Sequence, residues 1–118
     1  MRLQIHGIPT CGTCKKAIKW LNANEINFEF INTKEHPPSR NEIEQWVKSL
    51  TAKAMRNTSG RSYRELGAQK QTWQDKAWIE AFATDAMLLK RPIFVKDGVA
   101  VMVGFRENDA AIKLLNLD

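Results

Sequence analysis

The chain has 118 residues, 43% of them hydrophobic, and 18 lysines and arginines against 13 acidic residues give a net charge of +5. That length suits one domain around one core, no apolar stretch approaches the roughly 20 residues of a membrane span, and the first residues lack a signal peptide's basic and apolar regions, so the expected setting is cytoplasmic. The positive charge is compatible with an anionic ligand or an acidic protein surface, although a solvated exterior is the plainer reading, and no basic run interleaved with aromatics points to direct nucleic-acid binding.

Residues 2–6 read as a first strand. A helix is expected from residue 11 to about residue 24, because positions 14, 17, 18 and 21 (Cys, Ala, Ile, Leu) follow the i, i+3, i+4, i+7 spacing of a buried stripe. Residues 26–31 alternate apolar and polar, which is a strand and completes a right-handed βαβ unit with parallel strands. Pro37-Pro38 punctuates the chain, and Ser39 with Glu42 has the spacing of a capping box for a second helix, with Ile43, Trp46, Val47 and Leu50 on one face. Residues 51–72 read as irregular: residues 56–63 are polar and basic, with turn glycines at Gly60 and Gly67, and the arginines and hydroxyls there would suit an oxyanion, though polar loops are common. A third helix is expected from residue 72 to about residue 84, capped by Thr72 with Asp75 and carrying Trp78, Ile79 and Phe82. Strand residues 91–95, the turn Asp97-Gly98 and the return over 99–103 make a hairpin. A closing helix over 108–115 would turn Ile112 and Leu115 inward. No internal repeat occurs.

Cys11 and Cys14 are the only cysteines, in the order Cys11-Gly12-Thr13-Cys14. The first N–H groups of a helix have no intrahelical partners, and the summed peptide dipoles place about half a positive charge there, which favours thiolate over thiol. A cysteine in such a place, or in a Cys-x-x-Cys pair, drops from near 8.5 to about 3.5–7.5. Thr10, Gly12, Thr13 and Lys15 form its immediate surroundings, and Lys16 and Lys19 follow. A structural zinc would need four ligands, and only His6 and His36 remain beside the thiols. Covalent haem would need histidine at position 15, and a phosphatase-like loop would need arginine at position 17, where Lys15 and Ala17 stand. Packing as an ordinary buried cysteine remains open for Cys14, which lies on the apolar stripe. One helical turn apart, the two thiols can equally close a disulfide after a modest adjustment.

The order βαβ, helices, ββα, with Cys-x-x-Cys after the first strand, describes an α/β thioredoxin-like fold: a mixed four-stranded sheet flanked by helices, in one domain over 1–118 with a helical insertion at 35–90. In such folds a proline opening the third strand faces the cysteines. Pro92 holds that place, and a cis Arg91–Pro92 bond is expected.

The Cys-Gly-Thr-Cys-Lys-Lys-Ala start, Pro37-Pro38-Ser39, Asn57-Thr58-Ser59-Gly60 with Tyr63-Arg64-Glu65-Leu66-Gly67, Lys90-Arg91-Pro92-Ile93 and Val103-Gly104-Phe105 together resemble the arsenate reductase (ArsC) and Spx family. The likeness runs through nearly the whole chain. For the glutaredoxin-coupled arsenate reductases it implies that the cysteine matching Cys11 attacks arsenate, that three arginines hold the oxyanion, and that glutathione and glutaredoxin resolve the adduct. Arg56 and Arg91 match two of those arginines. The third falls at Val103, with Arg106 displaced by a few residues. One lost charge-assisted hydrogen bond, worth about 1.5–3 kcal/mol, would lower affinity or rate by roughly one to two powers of ten. Cys14 also departs from that pattern, and would resolve a Cys11 adduct or sulfenic acid within the chain, leaving a disulfide for a thioredoxin-type partner. The Spx branch implies instead a redox-switched regulator that binds the C-terminal domain of the RNA polymerase α subunit and no DNA by itself. Cys-x-x-Cys and Arg91 match that branch, but its interface glycine falls near Thr51.

The resulting expectation is a monomeric thiol–disulfide oxidoreductase of this family, with Cys11 as nucleophile and Cys14 as resolving thiol. Arg91 and Arg56 would hold an anionic substrate, with Thr10, Gly12, Thr13, Lys15 and Pro92 in support. No bound cofactor or metal is expected, and the electrons would come from glutathione–glutaredoxin or thioredoxin. The alternatives are the polymerase-binding regulator and a scaffold that retains the fold without activity.

Overall fold

The computed structural model describes residues 1–115. Strand β1 (Leu3–Gly7), helix α1 (Gly12–Ala23) and strand β2 (Glu29–Asn32) form a βαβ unit, with β1 and β2 parallel and Ile5 opposite Phe30. β3 (Ile93–Lys96) runs antiparallel beside β1, and β4 (Val99–Val103) antiparallel beside β3, so the mixed four-stranded sheet has the order β2-β1-β3-β4. Between β2 and β3 lie α2 (Arg40–Leu50), α3 (Ala52–Met55), α4 (Arg61–Glu65) and α5 (Asp75–Thr84), with 3-10 turns at Ala68–Thr72 and Ala86–Leu88, and α6 (Glu107–Leu115) follows β4.

The pleat sorts the core, because successive strand residues point to opposite faces. Leu3, Ile5, Phe94 and Met102 pack on one face with Ala17 and Leu21 of α1 and Ala110 and Leu114 of α6. Ile93, Val95 and Ala100 pack on the other with Ile43, Trp46 and Val47 of α2 and Trp78 and Phe82 of α5. The Ser39–Glu42 capping box is formed in both directions: Glu42 N donates to Ser39 Oγ (3.1 Å) and Ser39 N to Glu42 Oε1 (3.0 Å). At the hairpin, Asp97 (φ 50°) and Gly98 (φ 84°) both take the positive φ of the turn that matches strand twist.

Four expectations are corrected. β2 starts at Glu29 rather than residue 26, because the buried Ile26 donates its N–H to Leu21 O (3.0 Å) and so closes the end of α1. The stretch 51–72 is a chain of short helical pieces, not irregular. α5 begins at Asp75, since Thr72 Oγ1 donates instead to Gln69 O (3.0 Å) within the preceding 3-10 turn. In α6 the buried residues are Ala110 and Leu114; Ile112 is 52% exposed and Leu115 only half-buried, because a small residue and a leucine one turn apart fill the space under the helix. Among the described residues no helix is long and apolar enough to cross a membrane.

Candidate functional site

The end of β1 turns sharply into α1. Cys11 N donates to Ile8 O (3.0 Å), and Cys11 O accepts the first helical bond from Lys15 N (3.0 Å), with Cys11 in extended backbone at the N-cap. Cys11 is half-buried and Cys14, in the first turn, is wholly buried; both are free thiols. Thr10, Gly12, Thr13 and Lys15 are exposed around them.

The two thiols are driven in opposite directions. Burial by itself raises the Cys11 pKa, but the backbone N–H of Cys14, the Cys14 thiol, the N–H of Thr13 and the Arg91 guanidinium outweigh it, and Cys11 titrates below its ordinary value. The Cys11 side chain forms no full capping bond, so these are the weak, turned-in donors of an unfinished helix start. Burial pushes Cys14 up to about 11; the Ile8 N–H opposes that rise, while the adjacent Cys11 sulfur adds to it. Of the two thiols Cys11 is the one that ionises first, and its thiolate can accept a hydrogen bond from the Cys14 S–H.

Arg91 and Arg56 stand on two lengths of chain joined like a short ladder. Lys90 N donates to Met55 O (2.8 Å), Asn57 N to Leu88 O (2.8 Å), and Arg56 bridges antiparallel to Leu89. Arg91 is half-buried, donates from Nη1 to Leu89 O (3.3 Å), and keeps a buried Nε–H without a partner. Arg56 takes a different position: its guanidinium lies 4.0 Å from the centre of the Trp78 ring, again with a buried, unpartnered Nε–H. Thus Arg91 is brought to the thiol pair, and Arg56 is held two residues along the ladder against an aromatic face. Pro92 is buried, follows a cis bond, and accepts Gly104 N–H at its carbonyl (2.8 Å).

Val103, at the place of a third arginine, pairs with Ile93. Arg106 is exposed and lies 3.7 Å from Asp109. Thr51 has φ 81°, a backbone that glycine adopts readily and a β-branched residue rarely does. Among the described residues no group of three or more His, Cys, Asp or Glu side chains is placed to hold a metal ion.

Two neighbours escaped the sequence reading. Gly7 lies directly against the Cys14 sulfur. His6, one residue before it, is 3% exposed on the opposite face, edge-on to Trp46 at 4.6 Å, with neither ring nitrogen hydrogen-bonded. A glycine inside a strand often marks a close approach, but the expected strand ended at residue 6 and left Gly7 outside it.

Comparison with known proteins is consistent along the chain. The model of the ArsC family matches residues 6–112. The uncharacterised protein YusI of Bacillus subtilis (strain 168) is 40% identical over 112 residues, covering 92% of this chain and 94% of its own. The global transcriptional regulator Spx of Streptococcus pyogenes is 28% identical over 104 residues, covering 86% and 76%. The crystal structure of a possible arsenate reductase from Streptococcus mutans superposes with a TM-score of 0.80 at 34% identity, covering 88% and 91%.

Proposed function

The chain belongs to the ArsC family, and we propose that within it the protein is a thiol–disulfide oxidoreductase with Cys11 as nucleophile and Cys14 as resolving thiol. The observation that carries this reading is the placement of the two free thiols, Cys11 half-exposed at the N-cap of α1 and Cys14 wholly buried one turn on, with the pKa of the first driven down and that of the second driven up. The Cys11 thiolate attacks the central atom of an oxyanion such as arsenate, the S–As bond forming as one As–O bond breaks and its protonated oxygen leaves as water, while the Arg91 guanidinium, with Arg56 next along the ladder, meets the remaining charge. Cys14 then loses its proton and attacks the Cys11 sulfur. The S–S bond forms, the two thiols together give up two electrons and two protons, and the substrate leaves reduced by two electrons. A dithiol protein of the thioredoxin type, or glutathione with glutaredoxin, restores the thiols. With valine at the place of a third arginine, turnover of arsenate itself is expected to be slow.

The test is a coupled assay of wild type, Cys11→Ser and Cys14→Ser with arsenate, using either glutathione–glutaredoxin or thioredoxin. Loss with either variant under thioredoxin supports the intramolecular disulfide. Loss with Cys11→Ser alone under glutaredoxin replaces it with a single-thiol mechanism. Absence of turnover in every regime, with no Cys11–Cys14 disulfide after mild peroxide, overturns the enzymatic reading.

The likeness to Spx favours a second reading, a redox-switched regulator that docks on the RNA polymerase α subunit. Thr51 carries a backbone a glycine would fit. Binding to the isolated α C-terminal domain, measured with the thiols reduced and oxidised, decides it: no binding in either state removes this reading.

A further inference from the structure

We infer that Gly7 is a positioning residue for the resolving thiol, its missing side chain being the seat in which the Cys14 sulfur rests while the pair is reduced. The inference rests on the oxidoreductase reading above for its purpose, but not for its geometry. A Cβ built on Gly7 would lie 2.6 Å from Cys14 Sγ, a separation two such atoms do not tolerate. The nearest other atoms, on the Phe30 ring, would be 3.4 Å away, so the sulfur is what the glycine makes room for.

The backbone gives glycine no other reason to be there. Gly7 lies within β1, paired with Asn32, and is absent from the positions with positive φ. A glycine inside a strand weakens it by offering nothing to pack. Nor can the floor of the seat retreat. Gly7 O accepts from both Thr33 N (2.9 Å) and Thr33 Oγ1 (3.3 Å), which pins the peptide from the β2 side. The next N–H, that of Ile8, faces the sulfur from the same peptide.

Three consequences follow from a seat built of backbone. The sulfur sits out of reach of external reagents, so the first reaction falls to Cys11. An S–S bond of about 2.05 Å is shorter than the hydrogen-bonded separation of two thiols, so closing it draws the Cys14 sulfur towards Cys11 and out of the seat. Dithiol is therefore the state in which the seat is filled, and filling it with a methyl group penalises the dithiol and not the disulfide. A cysteine side chain has only three staggered positions, so the displaced sulfur moves to another of them and towards exposure.

Gly7→Ala tests this in three measurements that involve no substrate turnover, so failure of the oxidoreductase reading and failure of the seat are separable. In a Cys11→Ser background, alkylation of Cys14 by iodoacetamide is expected to accelerate about tenfold on adding Gly7→Ala; an unchanged rate overturns the inference. In equilibrium with glutathione disulfide, where one protein disulfide forms per two glutathiones released, Gly7→Ala is expected to move the balance several-fold towards the Cys11–Cys14 disulfide; no shift, or the opposite shift, overturns it. Thermal denaturation completes a double-mutant cycle with Cys14→Ala. Gly7→Ala lowers the midpoint, or prevents folding, only where the sulfur is present, and an equal loss in the Cys14→Ala background places the clash elsewhere and overturns the inference.

Discussion

The two faces of the sheet bury titratable groups by the same physics, which shifts their pKa values in opposite directions and leaves both groups neutral. Under α2 and α5 the packing is aromatic, with Trp78 in contact with Trp73 (ring centres 5.1 Å) and Phe82 (5.7 Å) and Trp46 edge-on to His6. There His6 is simply enclosed: burial holds its pKa below the ordinary 6.5, against the pull of Glu42 and Glu29, and the imidazole stays neutral. Under α1 and α6 aliphatic residues surround Phe94, with the other rings only partly buried, and Cys14, equally enclosed, is likewise driven neutral. Only Cys11 escapes. It differs from the other two in standing where a helix begins, so that N–H groups turned towards it reverse the effect of burial. Enclosure makes a group inert, and the unfinished end of a helix makes it reactive.

That contrast breaks most visibly at Trp78. Replacing this 1%-exposed residue by alanine is expected to cost about 3–5 kcal/mol of stability in urea unfolding. The pH profile of Cys11 alkylation in the folded variant should be unchanged; a displaced profile would show that the aromatic face reaches the thiols.

A smaller effect is expected at His6, and only in acid. Its folded pKa lies below the unfolded value of 6.5, so as pH falls through 6.5 the unfolded chain takes up a proton that the fold refuses. Stability is therefore full above 6.5 and declines below it, until the folded imidazole itself protonates. Melting temperatures measured between pH 7.5 and 5 should fall for wild type more steeply than for His6→Phe, which keeps a ring beside Trp46. Parallel curves would mean that the imidazole is not the group responsible.

The smallest effect is expected at Arg91, the last of the groups that lower the Cys11 pKa. Arg91→Met in a Cys14→Ser background should raise the midpoint of Cys11 alkylation slightly while leaving unfolding in urea almost unchanged. A midpoint that stays put would assign the lowered pKa wholly to the helix start.

What could be read from the amino-acid order was local. The turn into α1, the Ser39–Glu42 box and the Asp97-Gly98 hairpin each depend on residues within a few positions, and each is found. The onset of β2 is set by the Ile26 N–H bond that closes α1, which alternation does not reveal, and the short helices of 52–72 pack on partners far along the chain, so propensity missed them. At the site, Cys11 was legible from its place at a helix start and Arg91 from its motif. The different position of Arg56 was not, because the ladder between 55–57 and 88–90 joins segments more than thirty residues apart. Gly7 and His6 were illegible for a related reason, since their roles depend on which face of β1 each residue meets.

That last point constrains how the gene can change. His6 and Gly7 are adjacent, one against Trp46 and the other against Cys14. A single codon changes the face of every residue beyond it: an insertion ahead of His6 would bring the imidazole beneath the sulfur, and a deletion would bring the empty glycine beneath the indole. Length variation in this strand is thus governed by parity, with only paired changes keeping each residue on its own side, whereas the turns between the insertion helices can lengthen by any number without such an exchange.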